Sequence, residues 1–145
     1  MSLTIFLAGI MQGSHAGTEM HGQDYRDELR RLLTTKWPQA EIYCPYDNHQ
    51  ESIDYQPDQA REVFLNHNAM CREVDLLIAY VPQASMGTAI EMWEAAQAGK
   101  LVVAISPLAH NWAIRFCSHR IYSTLPEFAE ALESGELEEL LTMSS

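Results

Sequence analysis

The chain has 145 residues, enough for one compact domain with a core of its own and short for two. Its 20 acidic and 9 basic residues give a formal charge of −11, which excludes the basic face a nucleic-acid polymer needs but still permits a small anion held by backbone amides. Cys44, Cys71 and Cys117 are an odd count without CxxC spacing. No charged-then-apolar leader opens the chain, and no apolar run nears the roughly 20 residues that cross a bilayer, so a reduced, cytoplasmic protein without a membrane partner is expected.

Residues 3–9 (LTIFLAG) are a short apolar run closed by glycine and predict a buried strand. A loop carrying Gly13, Ser14, His15, Gly17 and Gly22 follows. Over 23–36 the leucines at 29, 32 and 33 recur at helical spacing, with Pro38 as the stop. Residues 41–44 predict a second strand, and 45–57 a polar loop longer than a simple connection requires. Over 58–72, Val63, Phe64, His67, Met70 and Cys71 share one helical face, which leads into a strand at 75–81. Residues 86–98 predict a helix closed by Gly99, with Glu91 in its first turn, and 101–105 (LVVAI) a further buried strand. A short helix at 111–116, a strand at 120–123 and one or two amphipathic helices from 126 complete the pattern, the acidic stretch 127–139 reading as a solvated face. Strands alternating with helices predict a single α/β domain over 1–145. A flavodoxin-like, doubly wound, five-stranded parallel sheet is the most economical arrangement. In it the first and third strands are neighbours, and the loops 9–22 and 82–88 share one crevice.

The loop QASMGT (83–88) combines the hydroxyls of Ser85 and Thr88 with Gly87, which lets a ligand approach the backbone, and it precedes a helix whose free amides favour an anion. The same residues have a plainer explanation. Thr88-x-x-Glu91 fits the S/T-x-x-E capping box, in which Glu91 only satisfies a backbone amide.

The segment DLLIAYVPQASMGTAIEMWEAAQAGKLVVAI (75–105), together with IFLAGIMQGS (5–14) and Asn111-Trp112, resembles the nucleoside 2-deoxyribosyltransferase family and its relatives, the nucleoside 5′-monophosphate N-glycosidases. The resemblance implies a flavodoxin-like homodimer that takes a small nucleoside or nucleotide and uses neither cofactor nor metal. Glu91, in the GTxxE position, would attack the anomeric carbon. Ser85 and Gly87 fall where the monophosphate-hydrolysing branch holds the 5′-phosphate, the backbone from Gly9 to Gly13 would hold the sugar or phosphate end, and Asn111 falls where a neighbouring subunit reaches into the site.

Three positions depart from the family pattern. His67 stands where an aspartate is usual, eight residues before Asp75, and is either the proton donor or a histidine on the buried edge of its helix. Phe6 replaces a tyrosine, and Gln12 replaces a phosphate-binding arginine. In the loop 43–55 (YCPYDNHQESIDY), Asp47 is a candidate substitute for the missing aspartate and Tyr46 or Tyr55 a candidate stacking partner for a base, against the plainer reading of a polar surface loop. The six histidines form no HxxxH or HExxH pair, so no metal is expected. Trp93 and Trp112 are expected in the core or at an interface. The alternative to an enzyme is a non-catalytic module that binds a nucleotide in the same crevice.

Overall fold

The computed structural model describes residues 3–9, 24–45 and 55–144. Gln12, Gly13 and Asp47, with the rest of the first loop and most of the Tyr-rich loop, lie outside the described residues.

Five strands alternate with helices: β1 (Thr4–Gly9), α1 (Asp24–Lys36), β2 (Glu41–Tyr43), α2 (Pro57–Cys71), β3 (Leu76–Tyr80), α3 (Met86–Gln97), β4 (Leu101–Ile105), α4 (Trp112–Cys117), β5 (Arg120–Tyr122), α5 (Leu125–Ser134) and α6 (Glu136–Ser144). The strands form one parallel sheet in the order β2-β1-β3-β4-β5, the flavodoxin-like order expected from the alternation. Element ends fall within a residue or two of those read from the sequence.

The period-two alternation of the central strands divides the core between two faces. Ile5, Leu7, Leu76, Ile78, Val103 and Ile105 point to one side, where Leu29 and Leu33 of α1, Phe128 and Leu132 of α5, and Leu137 of α6 cover them. Phe6, Ala8, Leu77, Ala79, Val102 and Ala104 point to the other, against Cys71 of α2, Met92 and Ala95 of α3, and Ile114 and Cys117 of α4. Central strands covered on both faces explain why their sequences read as unbroken apolar runs.

Polar contacts fix the register at the sheet's lower edge and far end. The Asp75 carboxylate accepts from the Thr4 amide (2.9 Å) and hydroxyl (3.0 Å), which locks β3 beside β1. The three-residue β5 is pinned by Glu136, which takes a hydrogen bond from the Tyr122 hydroxyl and an ion pair from Arg120 at 3.1 Å. Gly99 and Gly135 close α3 and α5 with φ of 76° and 90°, a region that glycine enters without the Cβ penalty.

The face read for α2 is partly corrected. Phe64 is 45% exposed, whereas Asn68 and Cys71 are buried, so the inward stripe of α2 is rotated toward Asn68. All three cysteines are buried free thiols. Among the described residues no helix is long and apolar enough to cross a membrane.

Candidate active site

The carboxyl ends of β1 and β3 are adjacent at the point where the strand order reverses, the place at which open α/β sheets bind ligands. Glu91 enters it from α3. Thr88, Met92 and Ala95 are the buried residues of that helix, and Glu91 lies three residues after the first and four before the last, on the same sheet-facing stripe. A carboxyl group thus occupies a position where an apolar side chain would be ordinary. Burial pushes its pKa up to about 8, partly opposed by the positive charge of Arg26.

The capping-box reading of Glu91 is not what forms. Ser85 is the N-cap of α3: its backbone is extended, and its hydroxyl oxygen accepts from the Thr88 amide at 3.4 Å and donates to the Thr88 hydroxyl at 2.9 Å. Thr88 therefore sits inside the first turn, and Glu91 in the second turn rather than the first. Among the described residues nothing donates a hydrogen bond to the Glu91 carboxyl group. A Cβ built on Gly87 would meet nothing within 4 Å, so the backbone beside the cap faces open space.

Four side chains from three other elements lie within electrostatic reach of Glu91: Tyr25 and Arg26 from α1, Tyr43 from β2 and Cys71 from α2. Burial raises the pKa of both phenols and of the thiol, so all three stay protonated at neutral pH. Tyr25 stacks on Tyr80 with ring centroids 4.2 Å apart and closes the end of β1. Gly9 makes room for that ring, since a Cβ would come within 2.2 Å of the Tyr25 hydroxyl and the ring would have to shift.

Phe6, Tyr43 and His67 form an aromatic wall on the Glu91 side of the sheet. Phe6 stacks on Tyr43 at 5.6 Å, and His67 meets both rings edge-on. The Tyr43 hydroxyl and His67 Nε2 are hydrogen-bonded at 3.0 Å. His67 is half-buried. It is thus a hydrogen-bonded member of the wall, and Phe6 contributes its ring face.

Asn111 is the N-cap of α4, where its side-chain oxygen accepts from the amides of Ala113 (3.0 Å) and Ile114 (3.3 Å). It stands beside Trp112 and Phe116, which are 76% and 66% exposed. The structure thus sets Glu91 within electrostatic reach of the β1 end, Gly9 against Tyr25 there, and Ser85 and Gly87 at the start of α3; Phe6 is fully buried behind Tyr43, His67 lies in the same wall, and Asn111 is exposed at the start of α4.

Sequence reasoning missed Tyr25, Arg26 and Ser106. Tyr25 and Arg26 fall on the inward stripe of α1 with Leu29 and Leu33, so an arginine in an apolar stripe was the available signal. Ser106 is fully buried; its hydroxyl donates to the Val81 carbonyl at 2.6 Å and accepts from the Leu108 amide at 3.1 Å, tying the ends of β3 and β4 together beneath the crevice. Among the described residues no three His, Cys, Asp or Glu side chains gather as a metal ion would require.

No protein-family model and no curated protein sequence matches the chain. Solved structures do. A 2-deoxyribosyltransferase from Bacillus psychrosaccharolyticus superposes with a TM-score of 0.65 at 17% identity, over 87% of this chain and 90% of that one. A conserved protein from Enterococcus faecalis V583 gives 0.65 at 18%, over 92% and 99%. The CMP N-glycosidase of Clostridium botulinum gives 0.52 at 22%, over 90% and 98%. The class defined by fold and crevice is therefore the flavodoxin-like α/β domain. Within it, the architecture is the one shared by these deoxyribosyltransferase and N-glycosidase structures, as the resemblance in residues 75–105 implied.

Proposed function

We propose that this protein cleaves the N-glycosidic bond of a nucleoside or nucleoside 5′-monophosphate, with Glu91 as the nucleophile. The observation that carries this reading is a carboxyl group on the buried stripe of α3, unbonded by any described residue and directed to the switch point of a fold shared with a 2-deoxyribosyltransferase and a CMP N-glycosidase. In the reaction a Glu91 oxygen forms a bond to the anomeric carbon as the bond to the base breaks. The electron pair leaves with the base, which takes up a proton. Water then opens the glycosyl ester, and hydrolysis is preferred over transfer because a transferase must also shelter its glycosyl-enzyme intermediate from water, which nothing in the sequence establishes.

His67, fixed by Tyr43, is the proton donor in this scheme, with Asp47 as the second candidate. Phe6, fully buried, backs the Tyr43 ring from within the core rather than touching the sugar. The Ser85 cap, the open backbone at Gly87 and the loop containing Gln12 and Gly13 receive the sugar's 5′ end, and binding energy there positions the anomeric carbon. The working unit is a cytoplasmic homodimer. Met86, Ile90 and Trp93 on α3, and Trp112 and Phe116 on the neighbouring α4, are all exposed. That is a larger group of bulky apolar side chains than a free surface usually carries, and a second copy would cover it while bringing Asn111 to the partner's crevice.

The test is chromatographic detection of free base from a panel of ribo- and deoxyribonucleosides and their 5′-monophosphates, with Glu91→Ala alongside. Base release by the wild type and none by a folded Glu91→Ala variant supports the proposal. Tight nucleotide binding without turnover, with or without an acceptor base, would replace it by a binding module.

A further inference from the structure

A cavity of about 450 Å³ lies between the C-terminal end of α2 and the edge strand β2. That volume is within the roughly 300–1,000 Å³ of small-molecule sites. Thr4 and Ile5 at the start of β1 form part of its lining, so it opens toward the amino ends of the strands, whereas Glu91 faces their carboxyl ends. The strand period sets one wall. Thr4 pairs with Glu41 and Phe6 with Tyr43; since Phe6 and Tyr43 belong to the α2 face, Thr4 and Glu41 point to that face as well. The opposite wall comes from the tight turn that ends α2, in which the amides of Glu73 (3.0 Å) and Val74 (3.1 Å) share the Met70 carbonyl. That turn brings Met70, Glu73 and Val74 together at the cavity. Tyr43, Met70 and Val74 make the interior apolar, and the exposed Glu41 and Glu73 add a carboxylate from each side.

The charge of these two carboxylates is not offset from within the described structure. Asp75, the other acid of this region, is committed to the amide and hydroxyl of Thr4, and Arg72, next in sequence to Glu73, is paired with Glu94 on α3. Among the described residues the side chains of Glu41 and Glu73 have neither a hydrogen bond nor an ion pair, and no Lys, Arg or His lines the cavity. The net charge of −11 adds to the negative potential there. We infer that this cavity is a binding site for a small organic cation, its ammonium or guanidinium group met by Glu41 and Glu73 and its apolar body packed on Tyr43, Met70 and Val74. A free small molecule suits it better than a peptide strand, because β2 is three residues long and offers few backbone groups for strand addition. The inference is independent of the reaction proposed at Glu91.

The experiment is an NMR titration of the 13C-labelled methyl groups of Ile42, Met70 and Val74 with phenethylamine. Its uncharged counterpart 2-phenylethanol is run alongside, on wild type and on the double variant Glu41→Gln/Glu73→Gln. Phenethylamine shifts all three signals of the wild type saturably, with a midpoint below about 10 mM, and leaves the Met92 methyl on α3 in place. The alcohol on wild type, and the amine on the double variant, each need about tenfold more ligand, and added salt weakens only the amine. No saturation below about 10 mM overturns the inference. Equal midpoints for amine and alcohol on wild type overturn it as well, and that comparison does not depend on how the variant folds. Tighter binding of the peptide acetyl-Phe-Lys-Phe-Lys-amide than of phenethylamine at the same three methyl groups overturns it in favour of a partner chain.

Discussion

Glu91 costs the fold stability at the pH where it is proposed to work. Its folded pKa of about 8 lies above the unfolded value near 4.5, so between these values the unfolded chain has lost a proton that the folded chain keeps. Stability therefore falls as pH rises through that window, by an amount on the order of a few kcal/mol. Glu91→Gln, which cannot ionise, is expected to melt higher than wild type at pH 8 and near it at pH 4.5; parallel melting curves across the range would contradict the burial argument. Activity has the opposite trend. For a carboxylate nucleophile, kcat/KM in the free enzyme should rise with pH on the limb that Glu91 governs, toward about 8, and because a protonated donor is also required it should fall again on the alkaline side. A profile flat from pH 5 to 8 would place the titrating group elsewhere. Both expectations derive from one position on one helix; in the sequence that glutamate stood out through the GTxxE resemblance, while its place beside buried Thr88, Met92 and Ala95 comes from the fold.

At the scale of the element, the start of α3 shows how a sequence signature and the chain's choice part company. Ser85 and Thr88 both offer a hydroxyl at a helix start, and T-x-x-E matches the capping box, but the extended backbone falls at Ser85 and the helix begins one turn earlier than that motif implies. Local pattern could not decide between two adjacent caps. Ser85→Ala should cost about 1 kcal/mol and lower the melting temperature by roughly 2–4 °C. Ser85→Asp separates the cap from the phosphate role: an aspartate caps as well as serine and suits the helix dipole, so stability should hold while turnover of a 5′-monophosphate falls and that of the matching nucleoside survives. Equal turnover of both substrates by Ser85→Asp would remove the 5′-phosphate from this loop. The strands were easier to read, because burial on both faces leaves unbroken apolar runs such as LLIAY and LVVAI. Arg26 was harder, since its partners are carbonyls of β1 left over by a strand pairing that no local pattern contains.

For the whole molecule, alternation of strands and helices was enough to specify the sheet order, because right-handed crossovers and a covered parallel sheet leave few arrangements for five strands. Pairwise contacts across the crevice were not legible in the same way. Tyr43 and His67 are 24 residues apart and meet only once β2 lies beside β1 and α2 packs over them. Assembly is a matter of the surface. With Trp93, Trp112 and Phe116 exposed on adjoining helices, sedimentation at micromolar concentration should give a dimer, and Trp112→Glu a folded monomer. A wild-type monomer would refute the proposed homodimer.

The central claim is that Glu91 forms a bond to the sugar. Its most direct test is peptide mass spectrometry of the protein acid-quenched during turnover of whichever substrate releases base. The account predicts a glycosyl adduct on the peptide containing Glu91 in wild type, and neither adduct nor base release in Glu91→Ala. Undiminished base release by Glu91→Ala, or an adduct carried on another residue, would contradict it.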